Sequence, residues 1–145
     1  SGEFQELKEL FLWNIQGLTS LSNFPKLSVL DIRNAPDLTQ VTIPAQIERL
    51  ILENCPNLTT ILIDDGQEQK LDKLWELSLA GSSAMPEQAV HALLKKVIRL
   101  RSLDVSNCTN LQNLGDALPS TIERLRARDC TSLETVRWPR RVGFA

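Results

Sequence analysis

Long apolar runs are missing from the 145-residue chain. None approaches the roughly 18 to 20 residues needed for a membrane-spanning helix, which excludes that class. An excess of one charge is missing too. Sixteen Lys and Arg against 18 Asp and Glu leave a formal net charge of −2, so no general attraction to nucleic acid or an anionic membrane surface is expected. Catalytic signatures are also lacking: there is no Gly-rich phosphate loop, no H-E-x-x-H and no G-x-S-x-G. The only histidine, His91, reads as a surface residue rather than a base. No C-x-x-C or Cys/His cluster has zinc spacing, and the Asp64-Asp65-Gly66 stretch lacks the ligand order of a calcium loop and reads as a solvated turn. No metal or cofactor is expected, and an enzyme is disfavoured.

The residues present, 42% hydrophobic and 23% charged, suit one globular domain with a substantial core rather than a disordered chain. The chain opens Ser1-Gly2 without an initiator Met. The expectation is a single domain over residues 1–145, cut from a larger protein.

Internal repetition dominates. Aliphatic residues follow L-x-x-L-x-L-x-x-C-x-x-L-x-x-L most clearly at Leu100, Leu103, Val105, Cys108, Leu111 and Leu114. Corresponding sets begin at Leu7, Leu27, Ile47, Leu74 and Ile122, which gives periods of 20, 20, 27, 26 and 22 residues. These periods are those of a leucine-rich repeat array of about six units. Each L-x-L alternates inward and outward positions and predicts a short strand, parallel to its counterparts. The expected fold is α/β: a right-handed solenoid with a curved parallel sheet on its concave face and short helices, 3₁₀ turns and loops on its convex face. In the fourth repeat Pro86 suits a helix start, Ser82 or Ser83 suits its cap, and Val90, Leu93, Leu94 and Val97 follow helical spacing, which predicts a helix over 86–97. Phe4 and Trp138-Pro139 are the candidates to cover the two ends.

Cys55, Cys108 and Cys130 occupy the same repeat position, the turn after the strand, where an inward side chain can satisfy backbone groups. Equivalence of position and an odd count predict buried, reduced thiols and an intracellular setting. Function is then expected on the outward face of the strands. The row between the two Leu positions reads Phe11, Asp31, Ile51, Ser78, Asp104, Arg126, and the row after it reads Trp13, Arg33, Glu53, Ala80, Ser106, Arg128. The row before begins Glu9, Val29, Arg49 and ends Arg124. The candidate binding residues are Phe11, Trp13, Asp31, Arg33, Arg49, Ile51, Glu53, Asp104, Arg124, Arg126 and Arg128. Lateral pairing is expected between Arg33 and Glu53, Arg49 and Glu76, and Asp104 and Arg126. Phe11 and Trp13 read either as binding anchors or as residues bared by a missing neighbour. Charge is polarised, with a net of −5 over residues 1–65 and +3 over 122–145. An acidic protein surface is the expected partner of the Arg-rich end.

Residues 43–55, Ile43-Pro44-Ala45-Gln46-Ile47-Glu48-Arg49-Leu50 through Cys55, match residues 118–130, Leu118-Pro119-Ser120-Thr121-Ile122-Glu123-Arg124-Leu125 through Cys130. Both have the form [IL]-P-x-x-I-E-R-L and end in Cys. This resembles the leucine-rich repeat domains of bacterial type III secreted effectors, some of which precede an E3 ubiquitin ligase domain. The segment from Leu103 to Leu111 is also similar to repeats of plant intracellular NB-LRR immune receptors. The resemblance implies a monomeric, non-catalytic protein-recognition module, acting in the host cytoplasm if it belongs to an effector. The alternatives it implies are the ligand-sensing array of an immune receptor and, further off, an accessory domain of a ubiquitin ligase.

Overall fold

The structure is a computed structural model that describes residues 4–64, 66–115, 117–133 and 135–136. The repeat forms a parallel-strand solenoid of about six turns. Each L-x-L contributes one strand to a six-stranded parallel sheet: β1 (Glu9–Trp13), β3 (Val29–Arg33), β5 (Arg49–Glu53), β7 (Glu76–Ser78), β8 (Ser102–Asp104) and β10 (Arg124–Arg126), adjacent in that order. The register is that of the repeat, with Leu10, Leu30, Leu50, Leu77, Leu103 and Leu125 aligned across all six strands. Leu30, Ile32, Leu50, Leu52, Leu79, Leu103 and Val105 are fully buried. Their stacked layers are the core, because no single turn can bury its own apolar face.

Each turn of this sheet ends in the same way. Asn14, Asn34, Asn54, Gly81, Asn107 and Asp129 all have positive φ, between 53° and 76°, a left-handed conformation that Asn, Asp and Gly tolerate best. The bend carries the backbone on to the next turn's ladder: the Asn14, Asn34, Asn54, Gly81 and Asn107 N–H groups donate to Arg33, Glu53, Ala80, Ser106 and Arg128 carbonyls at 2.7–3.0 Å. The following residue points inward. Cys108 Sγ donates to the Leu79 carbonyl at 3.1 Å and Cys130 Sγ to the Val105 carbonyl at 3.0 Å, while Ser82 Oγ does the same for Leu52 at 2.7 Å. Cys55 and Cys108 are buried as expected; Cys130 is only half-buried, since no further turn among the described residues stacks upon it.

The return path differs from expectation. Instead of 3₁₀ turns, loops or helix, the first three turns, two of 20 residues and one of 27, return as strands. These are β2 (Ser20–Leu21), β4 (Gln40–Ile43) and β6 (Thr60–Ile63), which form a second parallel sheet, and β9 (Asn113–Gly115) pairs with β11 (Thr135–Val136) in the last turns. β4 alternates half-buried Gln40 and Thr42 with buried Val41 and Ile43, a period-two pattern of β-branched residues that favours strand. The longer fourth turn returns as the helix α1 (Glu87–Leu94) with Val90, Leu93 and Leu94 buried. It is shorter than 86–97: Pro86 itself takes the N-cap position, and Val97 leaves the helix to form a bridge with Leu71. Ser82 does not cap it, being engaged with Leu52. Glu87 instead ties α1 to the next turn, accepting the N–H groups of Gln112 and Asn113 at 2.6 and 2.7 Å. These two bonds hold its carboxyl below the usual range. At the first turn Phe4 stacks on Phe24 at 6.0 Å yet stays 54% exposed, and Leu7, Leu10 and Leu12 are only partly buried. The terminal layer is thus incompletely covered. Trp138 and Pro139 lie outside the described residues.

Candidate functional site

The outer face of the six-stranded sheet is built by the three rows that alternate with the Leu layers. Register places Phe11, Asp31, Ile51, Ser78, Asp104 and Arg126 side by side across the six strands. Period-two alternation predicts that all of these face solvent, and that holds only at the two ends. Asp31, Ile51 and Ser78 are buried, at 3%, 3% and 4% exposure. Long side chains from the flanking rows close the middle of the face, so Asp31 and Ile51 are not exposed contact residues.

The closure is a connected polar network. Asp31 accepts hydrogen bonds from Trp13 Nε1 at 3.1 Å and from Arg33 Nε and Nη2 at 2.8 and 3.1 Å. The guanidinium lies 5.5 Å over the Trp13 ring and 3.7 Å from Glu53, whose other carboxylate oxygen accepts Ser78 Oγ–H at 2.6 Å. Hydrogen bonding to Asp31 raises the Arg33 pKa, so its positive charge is firmly held. In the row before, Arg49 Nε donates to Glu76 at 2.6 Å and stacks 5.8 Å over Trp75. The Arg33–Glu53 and Arg49–Glu76 pairs therefore form as expected. Ile51 lies between them in the register.

The third expected pair does not form. Arg126 stands directly opposite Asp104, but the Asp104 carboxylate accepts the N–H of Ser106, two residues on, at 2.9 Å. The local bond costs less side-chain entropy than a reach across strands. Arg124, Arg126 and Arg128 are exposed, and among the described residues none has a carboxylate within ion-pair distance.

A trough of about 450 Å³ runs along β7 and β8 between these two groups. Its floor carries the small side chains of Ser78, Ala80, Ser102 and Ser106, with Ile51 and Leu77 also lining it. One wall is the Arg33–Glu53 and Arg49–Glu76 pairs, and the other is Arg124, Arg126 and Arg128. Five guanidinium groups against Glu53, Glu76 and Asp104 leave a local excess of two positive charges among the lining residues. Eight of the eleven candidate residues are thereby brought together. Phe11 and Trp13 are not: they meet edge to face at 6.4 Å on β1, at the far end, 49% and 56% exposed.

Trp75, 39% exposed beneath Arg49, is a surface aromatic that the row pattern passed over. It falls one residue before Glu76, in the row Lys8, Ser28, Glu48, Trp75, Arg101, Glu123 that borders the face. A large aromatic at that repeat position was the available signal. His91 forms a 2.5 Å hydrogen bond with the Asn113 carbonyl, a structural tie between α1 and β9. Among the described residues no group of three or more His, Cys, Asp or Glu is placed to hold a metal, and no helix is long and apolar enough to cross a membrane. Protein-family models, curated proteins and solved structures contain no match to the chain.

Proposed function

We propose that this chain is a leucine-rich repeat recognition module of a bacterial effector that acts in the host cytoplasm, and that it holds a protein partner on the outer, concave face of its six-stranded sheet without catalysing a reaction. The solenoid is right-handed in this reading, as parallel crossovers almost always are. The observation that carries it is the trough. It is a concave site whose floor carries Ser78, Ser102 and Ser106 and whose walls carry charged side chains, on a parallel-strand scaffold. Such a surface recognises polar protein segments. The two [IL]-P-x-x-I-E-R-L segments enter their strands by the turn that Leu7 and Leu27 also use: Ile47 N–H donates to the Pro44 carbonyl and Ile122 N–H to the Pro119 carbonyl at 3.2 and 3.4 Å.

The test is a photo-cross-linking amino acid at Ser102 on the trough floor, with the same group at Thr60 in the second sheet as control. Incubated in host-cell extract, the Ser102 protein is expected to give one discrete adduct that the unlabelled chain competes away and that purified partner reproduces. Equal adducts from both positions would reject the reading. So would reproducible turnover by the isolated chain in ubiquitin-transfer or hydrolase assays.

A further inference from the structure

We infer that the trough receives an extended acidic segment of the partner protein, with Asp or Glu at every second residue, aligned along β10. This rests on the recognition reading above and specifies its chemistry.

Three observations lead to it. Arg124 and Arg126 stand two residues apart in β10, and Arg128 follows two residues later in the turn after it, so Arg124 and Arg126 leave the strand about 6.6 Å apart on one face. Alternate residues of an extended ligand recur at the same interval, which lets each guanidinium fork meet one carboxylate in two parallel bonds. Second, among the described residues Arg124, Arg126 and Arg128 have no carboxylate within ion-pair distance, while the opposite wall is internally matched, Arg33 by Asp31 and Glu53 and Arg49 by Glu76. A ligand therefore finds attraction on one side only, and that sets its lateral position. Third, Asp104, directly opposite Arg126 in the register, is held by the Ser106 amide, and the floor residues Ala80, Ser102 and Ser106 have short side chains. The trough stays open next to the arginines. Among the described residues no aromatic side chain lines the trough, so the stacking surfaces that single-stranded nucleic acid uses are absent from it.

The test uses fluorescence anisotropy with three labelled, end-blocked peptides of one length, the first two identical in composition. The first alternates glutamate with serine over three repeats, the second groups the glutamates in one block, and the third replaces glutamate with lysine. A single-stranded oligonucleotide of equal charge to the acidic peptides is run beside them. The expected result is tightest binding by the alternating peptide, several-fold over the blocked one, weakening as salt is raised, with no binding of the lysine peptide. The double variant R126E/R128E is expected to weaken that binding about tenfold or more, chiefly through a slower on-rate, with an unchanged melting temperature because both side chains are exposed. Should the charge reversal disturb folding, R126Q/R128Q decides in its place.

Equal affinity for the alternating and blocked peptides would overturn the register argument. Binding unaffected in both double variants, or preference for the oligonucleotide, would overturn the inference as a whole. The two proposals fail separately: a Ser102 adduct with purified partner that survives R126E/R128E leaves recognition standing and removes the acidic segment.

Discussion

The position after each strand of the large sheet must adopt positive φ, and the chain meets that demand five times with Asn or Asp and once with Gly81. Gly81 has a second reason to lack a side chain: an added Cβ would fall against the Asn54 carboxamide, which lies over it. Since that carboxamide can rotate, backbone strain is the larger cost. Gly81→Ala is expected to destabilise by about 1 to 2 kcal/mol, the cost of a left-handed non-Gly residue. Gly81→Asn, restoring the residue of the other turns, should cost measurably less in the same urea titrations, and equal losses would contradict the argument. The cysteine position is equally specific. Cys55 and Cys108 should resist a thiol probe until unfolding, whereas half-buried Cys130 should label in the native protein, as mass spectrometry of the modified peptides would show. Burial, then the neighbouring Cys130 and Asp104, push the Cys108 thiol from 9.0 up to about 12. A thiol pKa raised by folding contributes stability that is intact below the unfolded value and lost as pH climbs through the folded one. Stability should therefore fall from about pH 9 upward, and Cys108→Ser, which keeps a donor for the Leu79 carbonyl, should reduce that fall in urea midpoints compared at neutral and alkaline pH.

The elements were legible to different degrees, for identifiable reasons. All six strands of the large sheet follow from L-x-L because one face is apolar in every turn while the other varies and is mostly polar, and such alternation leaves little freedom of register. The second sheet escaped although β4 and β6, at four residues, are longer than β7, β8 and β10, at three. Its three segments share one aliphatic position, Leu21, Val41 and Ile61, in place of the two of L-x-L, and one position per turn does not establish a period. α1 was recognisable from Val90, Leu93 and Leu94, but its C-terminal limit was set by the Leu71–Val97 bridge, a contact invisible in local spacing. Leu93 and Leu94 are 5% and 1% exposed. Truncating either to Ala should cost about 2 to 5 kcal/mol by lost transfer energy and residual cavity. A melting temperature unchanged in both variants would mean that the helix does not pack on the core.

For the molecule as a whole, a solenoid's stability is a sum of turns and of the interfaces between them, so a position's cost depends on how many turns cover it. Leu10 and Leu50 occupy the same register, yet Leu50 is fully buried between turns and Leu10 is only partly buried. Leu50→Ala should cost about 2 to 5 kcal/mol and Leu10→Ala clearly less. Hydrogen exchange should show the same gradient, with amides of β3, β5 and β7 the most protected and those of β1 the least. Uniform protection along the chain would contradict additive turns. The charge gradient acts on this scale too, because the stacking direction sets the acidic first turns apart from the arginines of β10.

Repeat period, strand register, the inward cysteines and the rows of the outer face all follow from residue order alone, because parallel stacking at a constant register turns spacing in the chain into position in space. Folding determined which members of those rows are available. Asp31 and Ile51 disappear beneath Arg33, Arg49 and their partners, because long flexible side chains on a close-packed sheet find charges on neighbouring strands. Asp104 turns to a backbone amide instead of Arg126, and among the described residues Arg124, Arg126 and Arg128 have no carboxylate within ion-pair distance. Alternation specifies the face toward which a side chain points. Which side chains meet across strands depends on rotamers and on competing local hydrogen bonds, and these exist only once the turns are stacked.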